Sequence, residues 1–293
     1  MLRLSMRREP VVPLEAECVR PDVLCPLSVA QIETLTVWHG NREEKLGEFF
    51  AVQGSGDSGE VHVEGVLSKV KWLGAQMSGG RLVIHGSAGM HVGAQMRGGS
   101  IEVYGDVGDW LGAEMRGGKI HVHGNAGHLV GSAYRGSRAG MRGGVILVEG
   151  SAGFEVGHGL RRGLIVIGGD VGDFCGVNVI AGTICVFGRV GWRVGAAMKR
   201  GSVVLVHSES GFQPLPTYRK DSLVELVWLR LLARQLCQWG FVPRALSSMT
   251  QGTPTEQETG EPILSASWGE QRYWRYCGDF AELGKGEILV RAS

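Results

Sequence analysis

Short segments of alternating apolar and polar residues recur along the middle of this chain. Each segment begins at a glycine and places two apolar side chains two positions apart, as Ile101 and Val103 do. Alternation with a period of two predicts short, half-buried β-strands rather than helices. The apolar pairs are Leu82/Ile84, Ile101/Val103, Ile120/Val122, Ile146/Val148, Ile165/Ile167, Ile184/Val186 and Val203/Leu205.

The glycine that closes each segment recurs at a nearly constant step. Gly86, Gly105 and Gly124 are each separated by about 19 residues, and a second glycine column keeps the same register. One step is longer, which places an insertion between Gly131 and Met141. A fixed period of about 20 residues indicates repeats that stack on one another.

A repeat of this length cannot bury an apolar face alone, but stacked copies can. We therefore predict an all-β fold, a right-handed parallel β-helix of Gly-rich repeats with about 19 residues in each turn. Glycines are expected to supply the corners that need a positive φ. The predicted parts are an N-terminal cap segment (residues 1–58), the β-helix repeats (59–207), and a C-terminal helix and tail packed on the rod (208–293).

The flanks of the repeats have their own patterns. Residues 35–38 read as a strand of the cap, and residues 221–239 read as one amphipathic helix that stops at Gly240. Residues 252–261 are polar and rich in Pro, Thr and Glu, which predicts a loop. The aromatic tail that follows is expected to fold back on the rod.

Composition narrows the class of protein. The 293 residues carry a net charge of +1 and no apolar run of about 18 residues, and the first residues lack a signal-peptide core. The six cysteines lack C-x-x-C spacing, which favours free thiols in the cytoplasm over a zinc or iron–sulfur site. Neither nucleic acid nor a membrane is an expected partner.

Three motifs carry a family resemblance. They are the repeat G-x-I-x-V-x-G…V-G…M-R-G, the segment GEFFAVQG (residues 47–54) and the tail RYCGDFAELGKGEILV (275–290). With these motifs the chain resembles the C subunit of formylmethanofuran dehydrogenase, and most of all the C subunit of the bacterial formyltransferase/hydrolase complex. The repeat is also similar to the C-terminal domain of the glutamate synthase large chain.

The resemblance implies a structural subunit without an active site of its own. Its implied partners are formyltransferase, amidohydrolase-like and dehydrogenase-like subunits, which convert formyl-tetrahydromethanopterin to formate. It implies a furan-type formyl carrier, a methanofuran analogue, in the complex, and no cofactor bound by this chain alone. Two alternatives stay open: an oxidative molybdenum or tungsten complex, and a β-helical spacer of the glutamate synthase type.

One column of basic residues follows from the register of the repeats. Adjacent unit charges about 4.8 Å apart repel by about 0.9 kcal/mol even at the dielectric constant of water. The column therefore predicts either a solvated basic edge or a docking stripe for an acidic partner or the tail of an anionic cofactor. Its members are Arg97, Arg116, Arg142, Arg161 and Lys199.

The outward positions of the strands change from polar to apolar along the rod. A strand that is apolar on both faces must be covered on both. The predicted C-terminal helix, another subunit, or both together provide the cover, and for a partner interface the sequence offers Leu147, Val166, Phe187, Val204 and Val206.

Two further groups of residues are candidates for a site. The insertion supplies Tyr134 and Arg135, which we interpret as partner contacts because no nucleophile with an adjacent base lies there. His62, His85, His121 and His123 share a face, but side chains on successive strands are expected to spread in parallel. No catalytic residue and no metal site are therefore predicted.

Overall fold

The computed structural model describes residues 1–207, 210–247 and 266–292. The loop predicted at residues 252–261 lies outside them. Helices are few and short: Pro21–Leu24 (α1), Val29–Glu33 (α2), Leu46–Phe49 (α3), Val227–Gln238 (α4), Arg244–Ser247 (α5), and a 3-10 helix at Ala266–Glu270.

Most of the regular secondary structure in the described chain is β-strand. The strands are Leu2–Met6 (β1), Leu14–Glu15 (β2), Thr36–His39 (β3), Arg42–Lys45 (β4), Phe50–Gly54 (β5), Glu60–Glu64 (β6), Val70–Lys71 (β7), Arg81–His85 (β8), Ser100–Val103 (β9), Lys119–Val122 (β10), Val145–Val148 (β11), Leu164–Ile167 (β12), Thr183–Val186 (β13), Arg200–Leu205 (β14), Arg219–Val224 (β15), Tyr273–Gly278 (β16) and Lys285–Arg291 (β17).

One large mixed sheet dominates the fold. Its 13 strands follow the order β15-β16-β17-β14-β13-β12-β11-β10-β9-β8-β6-β1-β5, and the sheet is open at both edges. The central strands of this sheet, β6 and β8 to β14, pair in parallel and in the register of the sequence repeat, so that Ile101 lies between Leu82 and Ile120. The strands predicted from the alternating pattern are confirmed.

The repeats also meet away from this sheet. A second line of parallel bridges joins Leu67, Ala88 and Val107, and continues through every later repeat to Val190. A third line consists of backbone hydrogen bonds, such as those from the amides of Gly112 and Gly131 to the carbonyls of Val92 and Leu111. Each repeat therefore lies against its neighbour along its length, and the apolar columns form one buried core.

Left-handed corners occur at glycine and at larger residues alike. Gly112 has a φ of 59°, and an added Cβ would lie 2.5 Å from Cδ1 of Ile146, so a side chain here would strain the backbone and displace Ile146. Twelve non-glycine residues also have positive φ values among the described residues, including Trp72, His91 and Trp110. The expectation that glycines supply these corners is therefore only partly correct, because the stacked register imposes the same corner whichever residue occupies it.

Both ends of the stacked repeats are covered by the chain itself. At the N-terminal end, β1 lies parallel to β6 and antiparallel to β5. A four-stranded sheet of order β4-β3-β2-β7 adjoins this end. At the other end, β17 pairs with β14, and β16 and β15 extend the sheet.

The predicted helix over residues 221–239 starts too early. Residues Arg219–Val224 are a strand instead, in which Leu223 pairs with Trp274, and the helix begins at Val227. Pairing with the distant β16 overrides the local preference of this segment for a helix. Within the described residues, no helix combines the length and apolarity needed to cross a lipid bilayer.

Candidate interaction surfaces

The basic column lies along one exposed edge of the stacked repeats. The amide of Arg116 donates to the carbonyl of Met96, and the amide of Arg142 donates to the carbonyl of Met115, so the register fixes the column. All five side chains are exposed. Within the described parts of the chain, Arg97, Arg116, Arg142 and Arg161 form no ion pair, whereas Lys199 Nζ lies 3.9 Å from Glu282 Oε2. The arginine charges are therefore left to solvent or to an external anion.

The insertion at residues 132–140 forms a loop beside this column. A cavity of about 330 Å³ lies on one side of the loop, between Trp110, Tyr134 and Arg135. A second cavity of about 230 Å³ lies between Arg138 of the loop and Lys199 of the column. Arg138 of the loop therefore adjoins the basic column at Lys199, whereas the predicted contacts Tyr134 and Arg135 line the first cavity.

The loop cavities do not contain an assembled nucleophile. The hydroxyl of Ser137 donates to the carbonyl of Ala139. The ring of His158, which lines both cavities, faces Glu155 through Nδ1 at 2.7 Å and Asn178 through Nε2 at 3.3 Å. Because the serine does not bond to the histidine, this group lacks the nucleophile–base contact of acyl-transfer enzymes.

An aromatic stack that was not predicted from the sequence packs beneath the loop. The rings of Trp72 and His91 are stacked at 4.1 Å, and Trp110 and Tyr134 are stacked at 4.8 Å. The Tyr134 hydroxyl lies 2.8 Å from Nδ1 of His91. The signal in the sequence is the 19-residue spacing of Trp72, His91 and Trp110, which places them at the same corner of consecutive repeats.

The stability of this stack is expected to depend on pH. Burial and the nearby Lys71 lower the pKa of His91 to about 4, whereas an unfolded histidine has a pKa of about 6.5. Between these values the unfolded chain binds the extra proton, so the native state loses stability as pH falls. The unfolding free energy of the wild type should therefore decline more steeply from pH 6.5 to 4 than that of His91→Gln, measured by urea denaturation. Parallel profiles would contradict the assignment.

The outward apolar side chains of the later strands, called the apolar strip below, are covered by other parts of this chain. Leu147, Val166, Phe187, Val204 and Val206 are all buried. They form one cluster with the buried face of α4 and the residues that follow it: Leu229, Ala233, Leu236, Phe241, Trp268 and Tyr273. Of the two covers that the sequence left open, the fold uses the internal one, so these five side chains have no surface left for the expected partner interface.

The histidines on the outer face were expected to spread in parallel, but two of them converge with a glutamate. His121 is paired directly with Glu102 on the neighbouring strand, and His123 follows two positions later on the same face. One ligand atom from each of these three residues lies within 4.8 Å of the others. Elsewhere on this face, His62 Nδ1 lies 2.8 Å from His85 Nε2.

Comparisons with known proteins agree on one group of relatives. The chain is 40% identical over 93 residues to the C subunit of the tungsten-containing formylmethanofuran dehydrogenase 2 of Methanothermobacter wolfeii, covering 30% of this chain and 34% of that protein. It is 43% identical over 85 residues to the C subunit of the molybdenum-containing formylmethanofuran dehydrogenase 1 of Methanosarcina barkeri, covering 28% of each. The chain thus spans about a third or less of these curated relatives.

A solved structure matches over the full length. One chain of the formyltransferase/hydrolase complex from Methylorubrum extorquens, crystallised with methylofuran, superposes with a TM-score of 0.84 and 30% sequence identity. The match covers 99% of this chain and 100% of that chain. No family model matches the chain.

Proposed function

This chain belongs to the family of formylmethanofuran dehydrogenase C subunits, and from that premise we propose that it is a scaffold subunit of a cytoplasmic formyltransferase/hydrolase complex. The full-length likeness to a chain of such a complex is the observation that carries the proposal. In this proposal the complex converts formyl-tetrahydromethanopterin to formate through a furan-type carrier, and the reacting groups belong to the partner subunits.

The stacked repeats suit a scaffold. We infer that they are the turns of a right-handed parallel β-helix, since each repeat contacts the next along three lines. Such a rod buries its own core, so its outer surface is free for docking without loss of stability. The internal cover over Phe187 and Val206 supports this interpretation because it keeps the chain self-contained.

The partner surface in this proposal is the basic column together with the insertion loop. Four arginines without an ion pair in the described chain provide a line of positive charge at the spacing of neighbouring strands. A surface rich in carboxylates would neutralise this line, and so would an anionic tail of the carrier. Complementary charge of this kind guides association and fixes the orientation of partners more than it adds affinity.

The chain is proposed to be non-catalytic. Its loop cavities hold Tyr134, Arg135 and Arg138, which can bind anions but do not form an acyl-transfer dyad. The curated relatives favour a second candidate, an oxidative complex, because they come from tungsten- and molybdenum-containing enzymes. Tungsten and molybdenum analysis of the purified native complex separates the two, and the hydrolytic complex is expected to contain neither metal.

Expression of the partner subunits with and without this chain tests the scaffold role. We expect them to assemble into one hetero-oligomer only when the chain is present. Assembly to the same mass without it would contradict the proposal.

A further inference from the structure

A cluster of two histidines and a glutamate lies on the outer face of the main sheet, away from the basic column. Its geometry follows from the parallel register of β9 and β10. Glu102 and His121 are cross-strand partners, and His123 lies two residues beyond His121, so all three side chains leave the same face. Their ligand atoms lie within 4.8 Å of one another.

A second carboxylate orients both rings. Glu149 Oε1 lies 3.0 Å from Nε2 of His121 and 3.1 Å from Nδ1 of His123. On the other side of the His123 ring, Nε2 lies 3.3 Å from Glu102 Oε1. When Glu149 accepts a hydrogen from Nδ1, the lone pair of His123 is on Nε2, directed at Glu102. A carboxylate behind a histidine is the usual arrangement around a metal-binding imidazole.

Two carboxylates and a buried imidazole also suit a cation. Arg81 Nη2 donates to Glu102 Oε2 at 2.5 Å and the Tyr104 hydroxyl donates to Glu102 Oε1 at 3.1 Å, so the carboxylate of Glu102 is held in place. Glu149 adds a second acidic group. Because His121 is buried, its ring is held in place.

A small cavity opens beside the cluster. It has a volume of about 160 Å³ and lies between Glu102, His121 and Trp239, the last of which belongs to the C-terminal cover. Arg81 and Lys119 also line it. A cation at the cluster would thus keep one side open to water or to a small anion, with positive side chains next to that position.

We propose that Glu102, His121 and His123 bind a Zn²⁺ ion on this face, supported from behind by Glu149. Two imidazoles and one carboxylate are a ligand set that zinc accepts in sites with a free fourth position, whereas magnesium and calcium prefer oxygen ligands alone. The zinc site is independent of the proposed scaffold role, because it needs only the chain's own residues and no partner subunit.

Zinc binding to the full, tag-free chain tests the site. After treatment with a chelator and dialysis against ZnCl₂, we expect one Zn²⁺ per chain by elemental analysis. His123→Gln and Glu102→Gln should abolish this stoichiometric binding, and Glu149→Gln should weaken it by about 10- to 100-fold. His39→Gln is the matched control, since His39 also contacts a glutamate, at 2.9 Å from Glu44, but lies in the N-terminal part.

Two further readouts keep the test decisive. Circular dichroism in chelator shows whether each variant is folded. If a variant does not fold, the visible spectrum of the Co²⁺-substituted wild type reports directly on nitrogen and oxygen ligands in a four-coordinate site. A wild type that retains no Zn²⁺, or binding that is unchanged in both His123→Gln and Glu102→Gln, would overturn the assignment.

Discussion

Replacing Phe187 with alanine is expected to lower the unfolding free energy of the isolated chain by about 3–5 kcal/mol. The ring is fully buried and packs edge-on against Trp268 at 5.2 Å and beside Phe241 at 5.9 Å. Removing it leaves a cavity between the sheet and its C-terminal cover, and neighbouring side chains can fill such a cavity only in part. Urea denaturation of the isolated wild type and variant measures the loss.

Phe280→Ala is the matched control, because Phe280 is 58% exposed. It should change the unfolding free energy by no more than about 0.5 kcal/mol. The comparison also separates the two covers considered for the apolar strip. If Phe187 were covered by a partner, the isolated chain would tolerate Phe187→Ala, and only the assembled complex would be weakened. That result would contradict the internal cover.

Reversing the charges of the basic column is expected to weaken assembly about 100-fold. Each of Arg97→Glu, Arg116→Glu and Arg142→Glu replaces a favourable contact with an anionic surface by a repulsive one. At about 0.5 kcal/mol for each exposed charge contact, a reversal that turns attraction into repulsion costs about 1 kcal/mol, so three reversals amount to about 3 kcal/mol. The affinity of the triple variant for the partner subunits, measured at two salt concentrations, should be lower and less dependent on salt than that of the wild type.

A triple reversal outside the column is the control. Arg42, Arg219 and Arg234 are exposed and lie outside the column, so their replacement by glutamate changes net charge equally. The column variant should keep the thermal stability of the wild type, because its arginines form no ion pair within the described chain. If both triple variants assemble like the wild type, the column is not the docking surface.

Because this chain covers its own apolar strip, the surface proposed to bind partners is a different one from the surface that the sequence suggests. From the sequence alone, the apolar strip is a surface well suited to hold partners. Because α4 and the tail bury it, the remaining candidates are the arginine column and the insertion loop. Partner contacts are then mainly electrostatic and polar, and we expect an assembly that responds to salt more than one held by a large apolar interface.

The sequence could predict the central strands because their pattern repeats. Leu82 and Ile101 occupy equivalent positions of consecutive repeats and lie in one inward column. Each repeat of the pattern therefore supports the same strand register. The start of α4 could not be predicted this way. The residues of β15 have a helical pattern, and their strand state comes from pairing with β16, which is about 50 residues away in sequence.

The candidate sites were predictable to different degrees. The basic column follows from the register alone, since the amide of each arginine bonds to the preceding repeat. The convergence of His121, His123 and Glu102 depends on side-chain rotation, which the spacing of the residues does not determine. The cover of Phe187 also needed the structure, because an apolar face indicates burial without identifying the segment that buries it.

The scaffold role can be tested most directly by the native mass of the assembled complex. The proposed partners, formyltransferase, amidohydrolase-like and dehydrogenase-like subunits, would be co-expressed with this chain and without it. We expect a single hetero-oligomer that contains the chain in a fixed ratio, and separate partner subunits when it is omitted. Partner subunits that reach the same assembled state without the chain, or never bind it, would contradict the scaffold role.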